Sequence, residues 1–507
     1  MHNVRRISRQ LFAFGTADVM VLIVNFLLLP IYTRVLKPSE YGALALLLVC
    51  EAFLKVVFRW GLDTSFMRFY YDYHDEEDRR TLASTIVIFW LVVNGAVLVL
   101  LFLTARPINR LLFGTLDLLV PYGLLLINTF AGTFLFLPFS QLRIQQRARF
   151  FASMTFLRSF GTVVVRLLLV VAWRMGVTGL VLADVIVTAF LFVVLGRMLI
   201  RAMSWRFSPT LLRALLGYAL PRVPHGLLSQ TMGMSDRFLL GRYLPLSEVG
   251  VYQIGTSVAS TLKFYSAAFE LAWFPFAYDS MQRRDARELF ARLATYACVV
   301  LAFCALGLAG LGAVLVVLLL PSTFHGAARV IPLLVAGMAI QSLAWFLATS
   351  LNVAKRTRSY PLITAVGAVT SVVANVALIP SLGMMGAAWA VVLSQTAATG
   401  ATLIFAQRAY HIPYERRLAK LAGLTAAVYL AMIAVPSSNP WQLMAARGAL
   451  LALFPIGLYV ARFLQPHETQ QIREFAASML ERARSGNVPD LGVGQGSQGR
   501  PLGGSGL

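Results

Sequence analysis

Acidic residues are scarce in this sequence. There are 22 Asp and Glu against 44 Lys and Arg in 507 residues, and charged side chains make up only 13% of the chain. That is about half the ~25% usual in soluble domains. With 58% apolar residues and a mean hydropathy of +0.72, it excludes a water-soluble globular protein, whose core could not hide so much apolar surface. The three cysteines, Cys50, Cys298 and Cys304, all fall in apolar runs, which excludes a disulfide framework. Long polar segments are missing as well. The longest, Asp63–Thr81 with its acidic run around His74, reads as a solvated loop without framed metal geometry and leaves no room for a soluble catalytic domain. No G-x-x-x-x-G-K-[ST] loop occurs, so the chain has no ATPase of its own. The one formal dinucleotide fingerprint, Gly494-x-Gly496-x-x-Gly499, lies in a Gly-rich tail with neither strand before it nor helix after it.

What is present is apolar sequence in long blocks. Fourteen runs, numbered spans 1 to 14 in chain order, can each cross the ~30 Å of a bilayer core: 11–35, 41–62, 82–104, 117–139, 150–173, 177–197, 215–235, 249–275, 292–320, 330–353, 360–380, 386–406, 418–436 and 442–462. The first is too long for a signal-peptide core and has no small-residue cleavage site, so it reads as an uncleaved span. Of the 44 Lys and Arg, counting charges at span ends with the adjoining loops, 28 fall in the N-terminus, the even-numbered loops and the C-terminal segment to residue 484, and 8 in the odd-numbered loops. That asymmetry puts both termini in the cytoplasm. The basic excess then meets anionic membrane lipid, not nucleic acid.

A short pattern, R-x-L-x-x-S-E-x-G, occurs twice, 208 residues apart: Arg34, Leu36, Ser39, Glu40, Gly42 and Arg242, Leu244, Ser247, Glu248, Gly250. Thirteen residues past each glycine comes a lysine, Lys55 and Lys263. Gln146–Arg149 and Lys355–Arg358 match at an offset of 209, and Gly176-x-x-Gly179 and Gly383-x-x-Gly386 at 207. Three markers in one order define two parallel repeats of six spans. The expected fold is therefore an all-α polytopic membrane protein of about 14 transmembrane helices. Two pseudo-symmetric six-helix lobes cover 1–200 and 210–410, and two additional spans cover 415–465. A cytoplasmic amphipathic helix follows at 466–485, with Ile472, Phe475, Met479 and Leu480 on one face, and then a disordered Gly-rich tail at 486–507.

Charges inside spans cost about 2.5–3.5 kcal/mol each on insertion scales, so those retained need a reason. Glu51, Lys55 and Arg59 recur at four-residue spacing on one face of span 2. Span 5 carries Arg158 and Arg166, span 7 carries Arg222 and His225, and span 8 carries Lys263 and Glu270. Asp18 and Asp184 lie in spans 1 and 6. The structural reading pairs Glu51 with Lys55, Lys263 with Glu270, and Asp184 with a nearby arginine. It lets Arg59, Arg222 and Arg447 snorkel to headgroups and treats His225 as a core histidine. The functional reading takes the cations as a set. An excess of positive charge facing a cleft needs a counter-anion, and Lys and Arg give phosphate oxygens charge-assisted hydrogen bonds.

With these residues in view, the chain resembles the polysaccharide-transporter family of the multidrug/oligosaccharidyl-lipid/polysaccharide exporter superfamily, which flips O-antigen, capsule and exopolysaccharide repeat units. The resemblance is carried by Leu29-Pro30-x-Tyr32-Thr33-Arg34, Glu40-Tyr41-Gly42, Gly61-Leu62, Leu220-Pro221, Ser235-Asp236-Arg237, Glu248-Val249-Gly250-x-Tyr252, Pro275-Phe276 and the two G-x-x-G openings. It implies two V-shaped lobes around a cationic cavity in a bacterial inner membrane. The implied cargo is an oligosaccharide on undecaprenyl diphosphate, carried by alternating access from the inner to the outer leaflet. Related peptidoglycan-precursor flippases line their cavity with basic residues of the first, second and eighth spans. Lys55 and Lys263 match two of those places, whereas span 1 carries Asp18 and no deep arginine, which favours a polysaccharide repeat unit over lipid II.

The expected diphosphate ligands are Lys55, Lys263, Arg158, Arg166, Arg222 and Arg59. Asp18, Glu270 and Asp184 are candidates for a coupling cation, H+ or Na+. Pro30, Pro221 and Pro224 are candidate hinges. No metal or other cofactor is expected, and no enzymatic activity. A polysaccharide polymerase and its chain-length machinery are the expected protein partners. The alternatives are a lipid II flippase or a cation-coupled multidrug exporter of the same superfamily. A membrane glycan polymerase or ligase is disfavoured by outer loops that are short and poor in charge.

Overall fold

A computed structural model describes residues 28–115, 117–436 and 439–463. Asp18 and the predicted elements at 466–485 and 486–507 lie outside them. The described residues form helices and short turns, with no strand. Eleven helices are long and apolar enough to cross a membrane, against fourteen expected. The difference has a definite location. Span 1 falls mostly outside the described residues, and spans 7 and 8 form helices too polar to be counted, each also broken by a short 3-10 turn. Span 7 runs as Pro209–Ala219, a 3-10 turn at Leu220–Arg222, and Val223–Tyr243. Span 8 runs as Leu246–Ala259, a 3-10 turn at Ser260–Leu262, and Lys263–Ser280. Pro221 sits in the first of these turns and Pro224 in the opening turn of the next helix. Both lack an amide hydrogen, which is why the α-helix gives way there. Pro30 lies within the helical stretch 28–35.

Span 2, Pro38–Arg59, is the axis of the molecule. Pro38 occupies its first turn, and the Glu40 carboxylate accepts the Lys37 amide at 2.8 Å, so the repeated Ser-Glu pattern is a helix-start signal. The helix ends where Trp60 and Gly61 both take positive φ. Span 3 begins at Glu76, capped by the Asp75 side chain, and is interrupted by a π-turn at Trp90–Asn94. Asn94 is fully buried there. It donates to the Phe58 carbonyl at 2.7 Å and accepts from the Trp60 indole at 2.9 Å. That amide ties span 3 to the end of span 2. The corresponding span of the second repeat, 286–319, carries its own π-turn at Leu308–Gly312. There Arg447, from span 14, donates to the carbonyls of Gly310 at 3.1 Å and Met432 at 3.0 Å. Arg447 thus joins the last two spans to span 9.

The two copies of the repeated pattern touch each other. A methyl added at Gly42 would overlap the Leu246 carbonyl oxygen, and one added at Gly250 would overlap the Pro38 carbonyl oxygen. Each half presents its glycine to the backbone at the helix start of the other. Only a residue without Cβ permits so close a crossing. The largest buried apolar cluster surrounds it, with Tyr41, Leu46, Leu47, Val249, Tyr252 and Ile254. Farther along, span 2 runs beside span 7, where Gly241 faces Leu46, Gly226 faces Val56, and a Cβ at Gly61 would stand 2.9 Å from the Ala219 carbonyl.

Two family-pattern residues explain each other inside this region. The Tyr252 hydroxyl donates to Asp236 Oδ2 at 2.7 Å, and both side chains are buried. Tyr252→Phe would remove the donor and strand a buried carboxylate oxygen, which costs about 1–3 kcal/mol. Thermal unfolding of the purified variant should show a lowered midpoint; a midpoint equal to the native one would mean the bond contributes nothing.

Candidate functional site

The four-residue spacing of Glu51, Lys55 and Arg59 puts all three on one stripe of span 2, and that stripe walls two hollows. The first, of about 510 Å³, lies among spans 2, 4, 5 and 6. Besides the stripe, its wall carries Arg143 and Arg158 together with Asn128 and Thr188. The second, of about 540 Å³, lies between spans 2 and 7 and adds Asp63, Arg222 and Gln230. The hollows share Glu51, Lys55 and Arg59, so they meet across one line of charge. Together their walls hold five cations, Lys55, Arg59, Arg143, Arg158 and Arg222, against the carboxylates Glu51 and Asp63.

Those cations are lightly held. The Lys55 ammonium lies 2.7 Å from Glu51, but its side chain is 47% exposed. Such an i,i+4 pair contributes only about 0.3–0.5 kcal/mol, so it holds the lysine weakly. Arg59 stands 3.6 Å from Asp63. Arg222 lies over the Tyr218 ring at 4.6 Å and donates to its hydroxyl at 2.9 Å. Arg143 lies over the Phe151 ring at 4.9 Å. Arg158 is exposed to the cavity and forms no ion pair among the described residues. The Thr188 hydroxyl donates to the Asn128 amide oxygen at 2.7 Å, which leaves the Asn128 amide hydrogens for a polar guest.

The family model for polysaccharide biosynthesis proteins matches residues 31–329, a stretch that contains both hollows and both copies of the repeated pattern. The chain belongs to this polysaccharide biosynthesis family. No curated protein matches the sequence. Among solved structures, the lipid II flippase MurJ in an inward closed conformation superposes with a TM-score of 0.66 at 13% identity, covering 89% of this chain and 99% of that one. An inward-facing multidrug resistance MATE family transporter of the MOP superfamily gives 0.59 at 13% identity, covering 75% and 92%. This polysaccharide biosynthesis protein therefore has the membrane-transporter fold of that superfamily.

The residues singled out in the sequence divide into three groups. Lys55, Arg59, Arg158 and Arg222 come together on the cavity walls. Arg166 and Asp184, candidates for a phosphate ligand and an ion-coupling residue, meet each other, the arginine pairing that the structural reading gave Asp184. Arg166 Nη2 lies 2.9 and 2.8 Å from the two Asp184 oxygens, binding span 5 to span 6. Neither lines the two hollows. Lys263 lines neither hollow, and no carboxylate pairs with it among the described residues. The cause is local. Lys55 lies within an unbroken α-helix, whereas Lys263 follows the 3-10 turn at Ser260–Leu262. Three residues wound at 3.0 instead of 3.6 per turn rotate the remainder of the span by about 60°. The two lysines match in sequence, but the winding of the chain around them differs. Glu270 is half-buried and forms no ion pair among the described residues. The structure adds Arg143, which the span boundaries alone assign to the cytoplasmic loop charges.

Proposed function

We propose that this protein carries a polyprenyl-diphosphate-linked oligosaccharide from the inner to the outer leaflet of the bacterial cytoplasmic membrane by alternating access. The observation that carries this reading is the five-cation wall inside the bundle. A cleft with that excess attracts an anion with several phosphate oxygens, and guanidinium groups bind such oxygens two at a time. The diphosphate rests on Lys55 and Arg158, with Arg59, Arg143 and Arg222 within the same walls. Asn128 and Gln230 offer amides to sugar hydroxyls, and the polyprenyl chain stays in lipid. With both termini inside, the Gly42–Gly250 crossing lies at the outer end and the hollows open toward the cytoplasm, a loading state. The broken helices at Leu220–Arg222 and Ser260–Leu262 are where spans 7 and 8 bend as the halves rock. A coupling cation, H+ or Na+, falls to Glu270 or Asp18, since Asp184 is engaged by Arg166.

The test is genetic and chemical together. In cells lacking the protein, lipid-linked repeat units should accumulate on the inner leaflet and the surface polymer should disappear, with both effects reversed by the native chain. Unchanged surface polymer combined with new sensitivity to cationic drugs would replace this reading with drug export. Arrest of cell-wall synthesis would replace the cargo with lipid II.

A further inference from the structure

A third cavity, of about 480 Å³, lies on the other side of the hairpin that joins spans 4 and 5. That hairpin has two faces. Arg143 and Phe151 look into the transport cavity, whereas Gln145, Arg147 and Phe150 line this one. The polar wall is arginine from three places in the chain: Arg79 and Arg80 in span 3, Arg147 at the hairpin turn, and Arg197 and Arg201 in the last turns of span 6, whose helix runs Gly176–Arg201. One carboxylate, Glu76, shares the wall and pairs with Arg80 at 3.0 Å. Arg79 is also engaged, donating to the Tyr73 carbonyl at 2.8 Å and lying over the Tyr70 ring at 4.6 Å. Arg147, Arg197 and Arg201 form no ion pair among the described residues. The rim is apolar. Phe150 is 41% and Val194 38% exposed, and neighbouring Val193 reaches 82%. On a membrane helix such side chains face acyl chains.

We propose that this cavity is a binding site for the headgroup of an anionic phospholipid. Its phosphodiester sits among Arg147, Arg197 and Arg201, and its acyl chains lie along Phe150 and Val194. The basic recess alone would suit any phosphate. The apolar rim beside it selects an amphiphile, and basic pockets between spans at the cytoplasmic face take such headgroups. Occupancy would fix the hairpin whose opposite face presents Arg143 to the cargo.

The experiment uses the purified full chain in detergent. Native mass spectrometry and thermal unfolding are monitored with added phosphatidylglycerol, phosphatidylcholine, inorganic phosphate or polyprenyl diphosphate. Phosphatidylglycerol should remain bound and raise the unfolding midpoint, while phosphatidylcholine and inorganic phosphate should not. The triple variant R147Q/R197Q/R201Q should bind phosphatidylglycerol at least about 10-fold more weakly, the loss of one or two charge-assisted bonds. Lys55→Gln should bind it as the native protein does. If the triple variant does not fold, Arg197→Glu alone must show the loss. Equal retention by the arginine variants would overturn the site. An equal midpoint rise with inorganic phosphate would make it a free-anion site, and displacement of phosphatidylglycerol by polyprenyl diphosphate at lower concentration would make it a cargo entrance. Either result also overturns the proposal.

Discussion

Cells whose only copy of this protein carries Lys55→Glu and Arg158→Glu are expected to export surface polysaccharide about 100-fold less than native, or not at all. The walls of the two hollows carry five cations and two carboxylates, a net charge of +3. Two reversals change that by four charges, to −1. A hydrogen bond to a charged group contributes about 1.5–3 kcal/mol, so losing two removes at least about 3 kcal/mol, or roughly two orders of magnitude in affinity. Repulsion between the new carboxylates and the diphosphate adds to this. Both side chains are exposed to the cavity, so the variant should still insert and fold, which membrane immunoblotting and thermal unfolding would check. The conservative pair Lys55→Arg and Arg158→Lys keeps the charge and should retain most export. Lys263→Glu lies off both walls and should have a smaller effect than Lys55→Glu. If Lys263→Glu alone stops export while the double reversal does not, the phosphate sits elsewhere.

The second large effect comes from a single methyl group. Gly42→Ala places a carbon where the Leu246 carbonyl oxygen already is. Backbone cannot rotate away as a side chain can, so the two helix starts must separate or the local turn must distort. Overpacking of this kind costs about 1–3 kcal/mol, enough to shift a two-state conformational equilibrium about 5- to 150-fold. The variant should populate the state in which this end is apart. A cysteine placed at Ser247, in a background without Cys50, Cys298 and Cys304, should react with a membrane-impermeant thiol reagent applied from outside much faster in Gly42→Ala than in the parent. Transport should fall while the folded fraction stays near native. Gly250→Ala, the reciprocal contact with Pro38, should do the same. Unchanged labelling and transport in both variants would show that this crossing does not close the path.

Much of this architecture was legible because it is written in periodicities that the membrane enforces. Apolar runs, the lysine and arginine bias between loops, and the doubled Ser-Glu-x-Gly pattern are all local signals. The stripe of Glu51, Lys55 and Arg59 was visible from spacing alone. What the sequence could not show is set by the geometry between helices. An arginine partner for Asp184 was legible, but not which one: Arg166 lies 18 residues away on another span, and only packing selects it. Arg143, in the last turn of the span 4 helix, Leu119–Ile144, has the same sequence signature as an interfacial loop arginine. Its orientation toward the cavity depends on the hairpin after it. The repeat made Lys263 the counterpart of Lys55, but repeats preserve register and not winding. Pro221 and Pro224 announce the break in span 7, whereas Ser260-Thr261-Leu262 contains no proline or glycine to announce the one in span 8. The pairing of Asp236 with Tyr252 gives a reason for two otherwise unrelated family patterns, since each residue needs the other to be buried.

The contact between the paired glycines is made by main chain against main chain, and that has an evolutionary consequence. A latch built from carbonyl oxygens and α-carbons is indifferent to nearly all neighbouring side chains. Descendants of one ancestor can therefore remodel the cavity walls without redesigning how the two helix starts meet. The two glycines should resist change most where the cavity walls diverge fastest.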